Sequence, residues 1–410
     1  MFNRNDFIVN NNYYYIGNGF EHKLPIGIPT IDIALGGGIP LDGALIEIFG
    51  EESHGKTTLS YRICKRCTDE NGYITWIDSE TSYDESWARV QGVNTERLIP
   101  YRIGCMEDTN DVIIADIKKY KETYLPWLLD NSWKPTKSYL DSVGIDSKLP
   151  LATIKEQLSE IAPSHIIVWD SLAGSPVRSV AEAGANYSEG IAYRARLIKS
   201  FLSRYRVHVE GCSKVAMILV NQVIDNIGDT YGPAFSTPGG RGLKHSKHLS
   251  IYVKKSGSGE KDSENYTITD YVVLSIVKNK ITPVIASFPV IFSKARGFLG
   301  ATSVLEYLLN MKWFTNAGSW KKFDYITYDE STGEIINTEE VSFQKGNFYT
   351  LIGKRPEIFL YLCNQIKQLI SLKFPENPAI SNVNIEDIIE ACLAETNAIP
   401  TEEETISIDQ

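Results

Sequence analysis

Residues Gly50-Glu51-Glu52-Ser53-His54-Gly55-Lys56-Thr57 match the pattern GxxxxGK[ST] and are followed by Thr58. The chemistry this pattern supports is the grip of a polyphosphate. Its glycines allow a tight turn in which successive backbone N–H groups converge on one anion, at the positive end of the helix that follows. Lys56 reaches the outer phosphates and the Thr57 hydroxyl faces a Mg2+ ion. Asp170 closes the apolar run His165-Ile166-Ile167-Val168-Trp169 and is the carboxylate that orients water on the same ion. Glu80 lies two residues past the run Tyr73–Asp78. A carboxylate there, at the carboxyl end of a strand beside the phosphate loop, is placed to polarise an attacking water. A nucleoside triphosphate with Mg2+ is what these residues call for.

Such groups need a strand before the loop and a helix after it. Ala44–Phe49 supplies the strand, and Lys56-Thr57-Thr58-Leu59 opens the helix. Further strands are expected over Tyr73–Asp78, Leu98–Arg102, Ile166–Asp170 and Val215–Asn221, alternating with amphipathic helices. That alternation specifies an α/β fold with a mostly parallel central sheet. Leu249–Lys254, Tyr266–Val277 and Ile285–Phe292 follow without evident helices between them and are expected as antiparallel edge strands. The connection Glu107–Ser164 is far longer than a crossover requires and should carry an extra helical excursion. Residues 1–22, rich in Asn and Tyr, read as an extended arm. After a core over 23–296, the mixture of helix and strand patterns over 297–400 reads as a small α+β domain. Residues 401–410, with Glu402, Glu403 and Glu404, read as an acidic tail.

At 410 residues the chain exceeds what one core of roughly 250–300 residues holds, so appendages are expected. No stretch approaches the roughly 20 apolar residues of a membrane span, and the N-terminus lacks the apolar centre of a signal peptide. The six cysteines show no disulfide framework, and Cys64-Lys65-Arg66-Cys67 lacks the second pair that a zinc site needs. A cytoplasmic protein is expected. The net charge of −10 argues superficially against nucleic acid, but Arg178, Arg194, Arg196, Lys199, Arg204 and Arg206 gather in one segment. Local sign outweighs the sum.

The blocks Thr30–Gly38, the phosphate loop, Trp76-Ile77-Asp78-Ser79-Glu80, Val168-Trp169-Asp170-Ser171, Val220-Asn221-Gln222, Gly239-Gly240 and Val277-Lys278-Asn279-Lys280 occur in a telling order. In order and spacing, residues 24–296 resemble the bacterial RecA recombinases. The stretch Arg194-Ala195-Arg196 with Lys199-Ser200 is more similar to phage members, which implies a phage-encoded protein. The resemblance implies an ATP-driven helical filament of this chain on single-stranded DNA, which pairs that strand with a homologous duplex. It implies that Glu80 is the catalytic glutamate, that Asp84 and Trp87 contact adenine, and that Gln222 senses the outermost phosphate. It also implies that Lys278 and Lys280 reach the ATP of the adjacent protomer. A single-strand-binding protein and a loading mediator are implied partners.

Two loops, about Pro176–Gly190 and Val223–Gly240, are implied to hold DNA near the filament axis. Arg178, Arg194, Arg196, Gly239, Gly240 and Arg241 are the candidate contacts, with Ile227 as the apolar wedge between base triplets. The pattern departs from the bacterial proteins in several places. Glu189 stands where the first loop has its wedge, Ile224 and Asn226 replace basic residues, Asp225 and Asp229 add negative charge, and His245 replaces an interface aromatic. The arm lacks the family's clasping helix, so Phe7-Ile8-Val9 or Tyr13-Tyr14-Tyr15-Ile16 is expected to add a strand to a neighbour's sheet. Two rival readings share the phosphate motifs: a hexameric RecA-fold helicase or circadian-type ATPase, and a filament or mediator protein holding ATP as a structural ligand.

Overall fold

The computed structural model describes residues 20–183, 187–225, 235–329, 331–375 and 377–396. The arm through residue 19, Glu189's side chain, Ile227 and the acidic tail lie outside them. The central strands are β1 (Ala44–Gly50), β2 (Tyr73–Asp78), β3 (Leu98–Arg102), β4 (His165–Asp170) and β5 (Val215–Gln222). They continue with β6 (Leu249–Ser258), β7 (Thr269–Asn279), β8 (Ser287–Ser293) and β9 (Gly297–Leu299). All nine form one sheet in the order β9-β8-β7-β6-β1-β5-β4-β2-β3.

Continuous apolar runs suit parallel strands covered on both faces. Every residue of β1 and β4 is buried. Alternation then divides them between two cores. Ile46, Ile48, Trp76, Val168 and Ile218 face one cluster, with Leu59 and Ile63 of the helix α1 (Lys56–Asp69). Leu45, Ile77, Ile167, Trp169 and Leu219 face the other. That second core is closed by α3 (Met106–Tyr124), which follows the short helix α2 (Glu85–Val90), and by α7 (Tyr187–Val209).

The excursion is present. After α3 the chain adds α4 (Lys137–Ser142) and α5 (Leu151–Ile161), which bury Leu140, Ile154 and Leu158. The short α6 (Arg178–Ala183) leads into α7.

One expectation needs correction. Leu249–Ser258 is no antiparallel edge strand: β6 lies inside the sheet, parallel to β1, with Leu249 opposite Ile46 and Val253 opposite Gly50. The reason is the helix α8 (Gly240–Ser246), hidden in the sequence by its glycine pair, which provides the crossover that a parallel strand requires. Antiparallel pairing begins at β7 and continues through β8 and β9.

Beyond the sheet come α9 (Thr302–Asn310), the small antiparallel sheet β10 (Thr315–Ala317), β11 (Trp320–Tyr328) and β12 (Ile335–Gln344), then α10 (Phe348–Lys354), α11 (Pro356–Ser371) and α12 (Ile385–Thr396). Phe348, Phe359, Leu362 and Ile388 from this region join the same apolar cluster as Ile31 and Ile46. Arg62 ties the ends together: its guanidinium donates to the carbonyls of Ile26 (2.7 Å), Gly27 (2.6 Å) and Phe298 (2.6 Å). Phe298 in turn supports the phosphate loop. Gly55 has φ +99°, and a Cβ there would meet Phe298 Cζ at 3.1 Å, so glycine is required twice over.

Candidate functional site

Register brings the chemistry to one edge. Gly50 pairs with Gln222 across β1 and β5, and Asp78 pairs with Asp170 across β2 and β4. These are the carboxyl ends of parallel strands, where open α/β sheets bind ligands. From Gly50 the chain turns through Glu51–Gly55 and enters α1 at Lys56, whose first turn points its N–H groups back at the loop. Lys56 Nζ donates to the Glu51 carbonyl at 2.6 Å, an arrangement that leaves the ammonium arched over the loop. Burial lowers its pKa, while Asp170, Glu80, Glu52 and Glu51 oppose that by attraction.

Thr57 Oγ1 donates to Asp170 Oδ2 at 2.7 Å, so the hydroxyl and the carboxylate expected at one metal ion are already in contact. Burial pushes the Asp170 carboxyl up to about 6; Glu80 and Asp78 add to the rise, whereas the Thr57 hydroxyl and Lys56 resist it. A carboxylate held this reluctantly charged gains from a cation. His54 Nδ1, within the loop, is buried without a hydrogen-bond partner. One carboxylate and one hydroxyl fit a Mg2+ ion that takes its remaining ligands from phosphate and water, while the loop N–H groups face the phosphate oxygens.

Glu80 stands directly beside this pair. Ser171 Oγ donates to its Oε1, and Gln222 Nε2 donates to the same oxygen at 3.1 Å. Gly174 is placed so that any side chain there would collide with Glu80. Ser171 was not singled out from the sequence; its position directly after Asp170 was the available signal. On the other side of the loop, Asp84 caps α2 by accepting from the Trp87 N–H at 3.0 Å, and Trp87 Nε1 donates to Thr58 Oγ1 at 3.2 Å. Asp84 and Trp87 therefore flank the start of α1, beside the phosphate loop.

Lys278 and Lys280 lie at the opposite edge. Lys278 pairs with Ser250, and Ser250 with Glu47; Lys280 N–H donates to the His248 carbonyl, and His248 N–H to that of Leu45. At about 3.3 Å per residue, Glu47 and Leu45 are about 10 and 16 Å from Gly50 along β1, and β7 lies two strands across from β1, so neither lysine side chain reaches the loop of its own chain. Both ammonium groups rest on α8: Lys278 on the Lys244 carbonyl, Lys280 on that of His245 at 3.1 Å. Burial and the neighbouring Lys280 and Lys247 depress Lys278 to about 8.

Of the expected DNA contacts, Arg196 is exposed on α7, its guanidinium 5.9 Å from the Tyr193 ring. Arg194 instead reaches down to the carbonyls of Leu172 and Ala173, at the root of the first loop. Arg178 pairs with Asp108, and its N–H donates to Glu107 at 3.0 Å. Gly239 and Gly240, at φ +116° and +62°, start α8, which carries the exposed Arg241. Sequence reading missed a buried network beneath this loop. Glu47, fully buried, accepts from Lys247, from Ser250 Oγ (2.7 Å) and from Asn221 Nδ2 (3.0 Å). The same Asn221 amide donates to the Pro238 carbonyl at 2.9 Å, fastening the end of the second loop to the sheet.

Residues 21–116 and 149–296 match the RecA N-terminal domain as a family model. The chain belongs to the RecA family. Residues 117–148, the middle of the long Glu107–Ser164 connection, fall between the two matched stretches, whereas α5 lies within the second. Protein RecA of Rhodopirellula baltica is 30% identical over 313 residues, covering 74% of this chain and 70% of that protein. Protein RecA of Chlamydia pneumoniae is 30% identical over 318 residues (77% and 76%), and that of Gloeobacter violaceus 28% over 302 residues (73% and 69%). RecA proteins are DNA-dependent ATPase recombinases. Among the described residues, no helix is long and apolar enough to cross a membrane.

Proposed function

We propose that this RecA-family chain hydrolyses ATP with Mg2+ as a helical filament on single-stranded DNA and performs homologous pairing and strand exchange. Residues 23–296 form its catalytic and DNA-binding core, and 297–400 a small C-terminal domain. Lys56, the loop N–H groups and the α1 dipole hold the triphosphate, and Asp84 and Trp87 border the base. Thr57 and Asp170 would hold the metal, which supplies charge neutralisation at the phosphates. Glu80 accepts the proton of the attacking water. Lys278 and Lys280 serve the triphosphate of the next copy, which makes turnover depend on assembly. Arg178, Arg196, Gly239, Gly240 and Arg241 are the candidate contacts to the strand, with Ile227 as the proposed wedge and Arg194 bracing the root of the first loop. The likeness of Arg194–Ser200 to phage members supports a phage origin, and a loading mediator and a single-strand-binding protein are the expected helpers.

The observation that carries this reading is the Gln222–Glu80 hydrogen bond. Gln222 ends β5 and starts the second loop, so the catalytic carboxylate and the DNA loop share one side chain's position. The test is Gln222→Ala, assayed for ATP hydrolysis with and without a thymidine homopolymer. Stimulation by DNA is expected to drop at least tenfold while basal hydrolysis persists. Equal stimulation in the variant and the parent would refute the coupling, and no stimulation in either would refute the recombinase reading.

A further inference from the structure

Where α7 and α8 meet the amino edge of the sheet, the surface opens into a cavity of about 410 Å3. Leu45, Leu202 and Val209 make an apolar floor. Gly43 keeps it open, for a Cβ there would press on Val209 at 3.2 Å. Tyr205 lies in the same wall with its hydroxyl committed to the Ala44 carbonyl at 3.0 Å.

The rim is cationic. Lys199 and Arg206 stand seven residues apart on α7, two turns along one face, about 10 Å of helix rise. His245 and His248 close the other side. Behind them Lys278 and Lys280 sit on the carbonyls of Lys244 and His245. Among the described residues no carboxylate lines the cavity, and neither Lys199 nor Arg206 makes an ion pair. His248 registers the field. Burial first, then Lys280, Lys278 and Arg206, push its imidazole down to about 4, and its Nδ1 accepts the Leu45 N–H at 3.0 Å. Its remaining ring nitrogen therefore bears the proton and is a donor.

Convergent, uncompensated cations over an apolar floor attract an anion that also has a surface to bury. We propose that this cavity binds a phosphate ester with a flat apolar body, a nucleotide, its phosphate between Lys199 and Arg206 and its base on the Leu45–Leu202–Val209 floor. The volume lies within the roughly 300–1,000 Å3 of small-molecule sites. The site is at the end of the sheet away from this chain's phosphate loop, on the side where the proposed filament would bring the next copy's triphosphate to Lys278 and Lys280, and Lys56→Ala, which empties the phosphate loop of every copy, separates the two. A free nucleotide and a terminal nucleotide of a strand present the same chemistry.

Equilibrium dialysis of the full chain with labelled ADP tests it, with Lys56→Ala silencing the phosphate loop. Two ADP per parent chain are expected, and one per Lys56→Ala chain. Adding Lys199→Glu and Arg206→Glu to Lys56→Ala should weaken that remaining site at least tenfold. An oligothymidylate that displaces ADP from the Lys56→Ala chain identifies the ligand as a strand; ADP that stays bound identifies it as a free nucleotide. If the Lys56→Ala chain binds neither ADP nor the oligonucleotide, the proposal is overturned while the phosphate-loop reading survives. If the two charge reversals leave binding unchanged, or alter only sedimentation, the cavity is a plain surface or a contact between copies, and the proposal is wrong.

Discussion

The two edges of the central sheet carry opposite imbalances of charge. At the carboxyl edge Asp78, Glu80 and Asp170 gather around a single Lys56, and burial holds Asp170 at about 6. At the amino edge Lys244, Lys247, Lys278 and Lys280 gather near a single buried Glu47, and Lys278 is depressed to about 8. A lone subunit satisfies neither edge. One edge lacks cations where a triphosphate would sit, and the other holds cations with nothing to neutralise. In the proposed filament head-to-tail stacking would bring the two together, and heterologous contacts of that kind build open filaments when the rotation does not close.

The strongest way to break this comparison is to discharge the amino edge. Lys278→Ala with Lys280→Ala is expected to lower DNA-stimulated turnover by roughly 10^3-fold or more, as loss of a charge supplied in trans does. Nucleotide affinity of the dilute subunit should stay unchanged, because both lysines lie two strands across the sheet from its own loop and seat their ammonium groups on α8. A matching loss of affinity in dilute protein would show that they act within one chain. At the carboxyl edge Glu80→Gln should reduce turnover by roughly 10^2 to 10^4-fold while ATP and DNA still bind, as rapid-quench and filter-binding measurements would reveal. Normal turnover there would remove Glu80 as the base.

Between the edges, Asn221→Leu leaves the Glu47 carboxylate short of a donor and frees the Pro238 carbonyl. A loss of about 1–3 kcal/mol in urea unfolding is expected. A neutral result would mean that the network adjusts without it.

The smallest effect is expected outside the edges, at His22. Its Nδ1 meets Asp42 at 2.7 Å and its Nε2 meets Glu160 at 3.0 Å. The Asp42 hydrogen bond raises its pKa, burial opposes, and attraction to Asp42 and Glu160 adds to the rise. A histidine raised above 6.5 gives its stabilisation fully below 6.5 and loses it as pH climbs through the folded value. The melting temperature should therefore fall modestly from pH 6.5 to 8.5, and His22→Gln should flatten that slope.

Much of the carboxyl edge was legible in the sequence. Tyr73–Asp78 and Leu98–Arg102 appear with the expected limits, because apolar runs bounded by turn residues leave little choice. Gly50–Thr58, Asp170 and Glu80 converge because each closes a strand of one parallel sheet. The amino edge was harder. Glu47 sits in the run Ala44–Phe49, where a lone carboxylate signals a buried partner, but Lys247 lies 200 residues away and only the register of β6 on β1 reveals it. That register was itself obscured, since a seven-residue helix opened by two glycines has too little periodicity to read. Arg194 shows a further limit: residue type suggested a phosphate contact, whereas packing turned its guanidinium onto the carbonyls of Leu172 and Ala173.

Helix α8 is barely two turns long, yet its carbonyls seat Lys278 and Lys280 and its N-terminal glycines end the second loop. Lys247, just past its end, is locked to Glu47, so that side of the helix is fastened to the sheet. In the proposed filament, a pull on the second loop would reach the seats of both ammonium groups through this one helix.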